Sequence, residues 1–156
     1  MLERSQEAEE SLLEQLSIWA YGLSPNLQRW RANALMIEIG SCLKLHHGLE
    51  TLLHRIETDM RLRGLTACTG VAETRHAAWL LSHAEPSTAS QPEDPLVERL
   101  ARLPLELIAE DFPQAVKRLE KAGIKQFQHL LSLPITALGK RCGEPFVDWL
   151  NQLQGY

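Results

Sequence analysis

Leu12, Leu16, Trp19 and Leu23 recur at helical spacing, which predicts a helix over about Glu7 to Gly22 with an acidic solvent face. Gly22 and Ser24-Pro25 would end it. A short strand is expected around Leu27 to Arg31. Leu35, Ile37 and Ile39 then alternate with Met36 and Glu38, the period of a second strand. Leu49, Leu52, Leu53, Ile56 and Met60 share one face of a second helix, with Gly64 as its C-terminal cap. Leu65 to Ala72 is rich in small and β-branched residues and reads as a third strand. Thr74 would cap a third helix that turns Ala77, Ala78 and Leu81 inward. The order helix, strand, strand, helix, strand, helix implies an α+β layer with helices over one sheet face.

The stretch "EPSTASQPEDP", residues 85–95, carries three prolines and no large apolar group, so it reads as a linker. The pattern after it is helical throughout. Phe112-Pro113 opens a helix that buries Val116 and Leu119 and ends at Gly123. A short helix with Phe127, Leu130 and Leu131 stops at Pro134, and another covers about Thr136 to Cys142. The last begins at Pro145 and packs Phe146, Val147, Leu150 and Leu153. The expected organisation is therefore an α+β part over 1–84, a linker over 85–95 and a helical part over 96–156.

Composition adjusts this picture modestly. The 156 residues are 44% hydrophobic, enough for a core without covalent staples. The net charge of −4 excludes a strongly basic nucleic-acid coat. Charge is uneven, however: eight Lys/Arg face thirteen Asp/Glu up to Pro95, and eight face seven beyond it. The second part is thus the better place for a polyanion. Three widely spaced cysteines with no C-x-x-C pair fit a reducing cytoplasm. No apolar run is long enough to span a membrane, and the acidic first residues are unlike a signal peptide.

Candidate chemistry is sparse. Cys42, His46 and His47 lie close in sequence, but zinc needs three protein ligands at fixed geometry and Cys68 would have to join from a neighbouring strand. Core packing for the cysteine and a polar turn for the histidines account for them without a metal. No G-x-S-x-G or phosphate-cradling glycine loop occurs. Gln15 to Trp19, "QLSIW", is similar to a clamp-binding peptide, yet the helix face needs Leu16 and Trp19. The helical part is more informative. Lys121, Lys125, Lys140 and Arg141 flank two tight turns at Gly123 and Gly143, and paired turns of this type can hold duplex phosphates without reading bases.

Both parts resemble one family. "GLTACTGVAETRHAAWLLSHA", residues 64–84, is similar to the palm segment of Y-family translesion DNA polymerases, with Gly70-Val71-Ala72 at the strand end and Thr74-Arg75 in the place of an Asn-Lys pair. "GIKQFQHLLSLPITALGKRCG", residues 123–143, resembles their helix-hairpin-helix thumb. "ALMIEIGSCLKLHHGLETLL" and "LSLPITALGKRCG" are closest in style to the ImuB-type branch, polymerase homologues that accompany a separate mutagenic polymerase. The resemblance runs from about Leu12 to Gly155.

It implies a partial palm-like, ferredoxin-like α/β layer followed by a small helix-hairpin-helix thumb. Active relatives place an Asp-Glu pair at the start of the palm strand, where magnesium is held for phosphoryl transfer. Aligning on Ile37-Glu38-Ile39 puts Asn33 and Ala34 in those places, so the resemblance implies no catalytic residues, no metal and no cofactor. The family's Lys-Pro appears here as Glu85-Pro86, and its first Gly-x-Gly hairpin as "AEDFP", Ala109 to Pro113. Arg75 retains a cation for a phosphate contact. The expected function is a non-catalytic adaptor in translesion mutagenesis. Its weak DNA-backbone contacts would use Lys121, Gly123, Lys125, Lys140, Arg141 and Gly143, and its protein partners would be a sliding clamp or partner polymerase. The alternatives are an interaction fragment without DNA contact, and a residual nucleotidyltransferase or metal-dependent enzyme. Dimerisation would cover a sheet edge left open by an absent first strand.

Overall fold

A computed structural model describes residues 5–84 and 93–156. The chain is mixed α+β but mostly helical: among the described residues, eight α-helices accompany one two-stranded sheet. It divides into two compact units, Met1–Ala67 and Cys68–Tyr156. This boundary differs from the composition-based one at residues 85–95. Helix α3 (Arg75–Leu81), grouped with the first part by composition, packs on helices of the second unit. Most of the expected linker, including Glu85-Pro86, lies outside the described residues.

In the first unit, α1 (Gln6–Tyr21) starts where the Ser5 hydroxyl accepts the Ala8 amide at 3.2 Å, with Glu7 and Glu9 complementing the positive end of the helix. Strands β1 (Leu27–Trp30) and β2 (Ala34–Ile37) form an antiparallel hairpin pairing Leu27 with Ile37 and Trp30 with Ala34. Both strands pack on α1. Arg31 takes the left-handed conformation, φ 59°, to close the turn. Helix α2 (Leu49–Leu62) buries Leu52 and Met60 and half-buries Leu49, Leu53 and Ile56, the predicted face. It ends in a Schellman motif. Gly64, at φ 70°, lets its own amide reach the Arg61 carbonyl and the Leu65 amide reach that of Met60.

The third strand expected over Leu65 to Ala72 does not form. The Gly70 backbone lies against α3 so closely that a Cβ there would meet the Ala78 carbonyl oxygen at 2.2 Å. The Val71 carbonyl, which a ladder would use, accepts from the Arg99 guanidinium at 2.5 Å. A helix and a side chain occupy what a neighbouring strand would need. Among the described residues the sheet is therefore the β1–β2 hairpin.

The second unit is helical, comprising α3, α4 (Leu96–Leu100), α5 (Pro113–Lys121), α6 (Phe127–Leu131), α7 (Ile135–Cys142) and α8 (Glu144–Gln154). A 3₁₀ turn, Leu105–Ile108, precedes α5. Thr74 caps α3 as expected: its hydroxyl accepts the Ala77 amide at 3.2 Å and donates to the Leu153 carbonyl at 2.8 Å. The core joins Leu80, Leu100, Leu105, Leu119, Phe127, Phe146 and Leu153, all essentially inaccessible. Trp149 gathers the aromatic side chains, its ring centroid 5.5 Å from Phe112, 6.1 Å from Phe146 and 5.7 Å from His76. Phe112 also meets Phe146 edge-on at 5.2 Å, so the "AEDFP" segment works as a core anchor at the start of α5.

Candidate nucleic-acid interface

The first of the two turns follows α5. Gly123 at φ 84° allows a second Schellman motif, its amide bonding the Glu120 carbonyl and the Ile124 amide that of Leu119. Behind this turn the chain is pinned. Leu105 donates to the Lys125 carbonyl at 2.9 Å, and Phe127 donates to the Leu103 carbonyl at 3.0 Å. Lys121 and Lys125, both exposed, thus flank a turn whose following backbone is fixed by these bonds. Helix α6 is only five residues long, so attraction for a phosphate at this turn rests on the two lysines and the turn amides rather than on a helix dipole.

The second turn is Gly143, φ 87°, which ends α7 and begins α8 without an intervening residue. Lys140 and Arg141 occupy the last turn of α7 and complement the negative end of that helix. The first turn of α8 carries Glu144, a carboxylate that offsets the anion attraction of that N-terminus. Cations again supply the positive potential. Lys121, Lys125, Lys140 and Arg141 are all exposed, and none forms a salt bridge among the described residues.

The two turns are connected through Arg118, a residue that motif reading passes over. Its Nη1 donates to the Arg141 carbonyl at 2.8 Å, and α5 packs on α7. The signal available in the sequence was the basic run Lys117, Arg118, Lys121 on α5. Beside this contact Cys142 is partly buried. Burial pushes its thiol up, opposed by the neighbouring Arg118 and Arg141 guanidiniums. Arg75 stands apart. It opens α3, next to Thr74, which bonds Leu153 at the far end of α8. Ten residues of helix put that end about 15 Å from Gly143.

In the first unit Asn33 is exposed in the hairpin turn and Ala34 is the first residue of β2. Glu38 is turned onto Ser41: its carboxylate accepts the Ser41 hydroxyl at 2.7 Å and the Ser41 amide at 3.2 Å. The hydroxyl contact foremost, and then the amide contact, lower its pKa below the ordinary carboxylate value. The two histidines part company. His46 is buried with Nε2 2.7 Å from the Leu23 carbonyl, whereas His47 is exposed at φ 62°. A polar turn thus describes His47 and not His46. Among the described residues no three His, Cys, Asp or Glu side chains are placed to hold a metal ion. The "QLSIW" segment is helical within α1, where the Trp19 indole donates to Asp59 at 2.9 Å.

Two curated proteins named Protein ImuB, from two strains of Caulobacter vibrioides, are each 27% identical to this chain over 148 residues. The chain is similar to ImuB. The match covers 95% of this chain and 32% of each ImuB protein, so the chain spans about a third of the length of the curated relatives it matches. A match of that extent to ImuB crosses both units. No family model matches the chain, and no solved structure matches it. Among the described residues no helix is long and apolar enough to cross a membrane.

Proposed function

We propose that this chain is a non-catalytic module acting in DNA damage tolerance and translesion mutagenesis, where it works as an adaptor between duplex DNA and protein partners. The observation that carries this reading is the pairing of the Gly123 and Gly143 turns. Each is flanked by exposed cations with no salt bridge among the described residues, on two helices joined by the Arg118 contact. Turns of this type meet phosphates and not base edges, so binding is independent of sequence. Similarity to ImuB along nearly the whole chain supports the setting. The partners in this reading are other translesion proteins, a sliding clamp or a partner polymerase among them, and the first unit supplies the protein-facing surface.

The non-catalytic part of the reading is supported by the alignment on Ile37-Glu38-Ile39, which puts Asn33 and Ala34 in the places of a polymerase's acidic pair. Asn33 and Ala34 carry no carboxylate, and Glu38 is engaged by Ser41. Neither arrangement supplies the paired carboxylates that two-metal phosphoryl transfer requires.

Fluorescence anisotropy with primer–template DNA tests the reading. The four cations alone predict a negative slope of at least about 3.6 in magnitude in log K against log salt, so affinity falls on the order of 100-fold or more between about 50 and 200 mM salt. Replacing Lys121, Lys125, Lys140 and Arg141 together by Glu abolishes binding at low salt. Binding that survives this replacement refutes the thumb-like role. The acidic net charge favours one second reading, an interaction fragment without DNA contact. Partner capture that persists in a chain with no measurable DNA affinity would select it.

A further inference from the structure

Carbonyls in the last turn of a helix lack partners within that helix. In α7 one of these, on Arg141, is taken by Arg118 from α5 at 2.8 Å. Arg118 is exposed, and this is the one hydrogen bond of its guanidinium among the described residues. A guanidinium has five N–H donors in a rigid planar fork, so one edge can hold a carbonyl while another faces solvent. The contact lies two residues before Gly143 and five before Gly123 along their respective segments.

We propose that Arg118 is a positioning residue that joins the Gly123 and Gly143 turns into one phosphate-binding unit. With one edge it holds the end of α7 against α5, and with its free donors it takes a phosphate oxygen lying between those met by the two turns. The proposal rests on the DNA-binding reading above. A lysine cannot replace this arginine. Its single ammonium carries the charge but lacks the two-edged fork that serves carbonyl and phosphate at once.

The test has two arms on the full chain. In the free protein, amide exchange of Gly143, whose N–H bonds Gly139 in the last turn of α7, reads the tie directly. Arg118→Ala raises that exchange rate about tenfold if the tie holds the turn. An unchanged rate overturns the tie. With duplex DNA, the salt slope of binding counts phosphates. Loss of a lone contact reduces its magnitude by about 0.9, whereas disengaging a turn as well reduces it by about 1.8 or more. The proposal expects the larger change in Arg118→Ala and a clear reduction in Arg118→Lys too. A reduction of only about 0.9 in Arg118→Ala, or a wild-type slope in Arg118→Lys, overturns the joint unit. A wild-type chain that binds no DNA overturns the functional reading and the phosphate role with it, while the exchange arm reports separately on the tie.

Discussion

Gly70→Ala is the sharpest test of how the second unit is built. An added methyl would lie 2.2 Å from the Ala78 carbonyl oxygen, 2.4 Å from the Ser82 nitrogen and 2.8 Å from the Leu81 carbonyl carbon. These atoms flank the bond in which Ser82 donates to Ala78, the last turn of α3. They are backbone atoms of a helix whose buried face carries Ala77, Leu80 and Leu81, so no side-chain rotation relieves the clash. Ordinary contact begins near 3.4 Å, which requires Gly70 and α3 to part by about 1.2 Å. Overpacking of this kind costs roughly 1–3 kcal/mol, and disruption of the Ser82 bond adds about 1 kcal/mol. The expected loss is about 3 kcal/mol. Native-state amide exchange of Leu119, Phe127 and Leu130, all in the core of the same unit, measures it as a roughly 100-fold loss of protection. Thr69→Ala, at an exposed neighbour, serves as control and leaves protection unchanged. Equal protection in Gly70→Ala and wild type would refute the close approach, and with it the account of why residues 65–72 do not join a sheet.

Two further outcomes follow from local chemistry. Thr74→Ala removes both the α3 cap and the bond to Leu153, and costs the second unit about 2 kcal/mol by denaturant titration, whereas Thr74→Ser retains both bonds and most of the stability. Ser41→Ala deletes the main cause of the lowered Glu38 pKa, so the carboxylate titrates nearer its ordinary value by NMR. Because the folded-state pKa is depressed, the Glu38–Ser41 contact contributes above the ordinary carboxylate range and is lost as pH falls through the folded value; in Ser41→Ala that acid-side dependence shrinks.

The helices were legible in the sequence because their causes are local. The face of α2 is visible as Leu49, Leu52, Leu53, Ile56 and Met60, and its end as Gly64, since a 3.6-residue period and a left-handed cap involve neighbours along the chain. Thr74 before α3, Pro113 at the start of α5 and the turn glycines 123 and 143 were readable for the same reason. The reading of His46 was not, because a histidine beside a turn looks polar until the Leu23 carbonyl, 23 residues earlier, is found against its ring. Trp149 gave no sign that it would gather Phe112 and Phe146, since ring contacts between separate elements leave no periodic trace.

For this chain, then, sequence alone determined the extents of most helices, α4 and the 3₁₀ turn at Leu105–Ile108 excepted, and which charges accompany the two glycine turns. Tertiary structure decided the rest. It set α3 among the later helices, packed Gly70 onto its backbone where a strand was expected, and brought Arg118 to the Arg141 carbonyl. The division has one physical cause. Capping and periodicity act over a few residues, whereas the fate of an extended segment or a long side chain depends on which distant backbone groups reach it first.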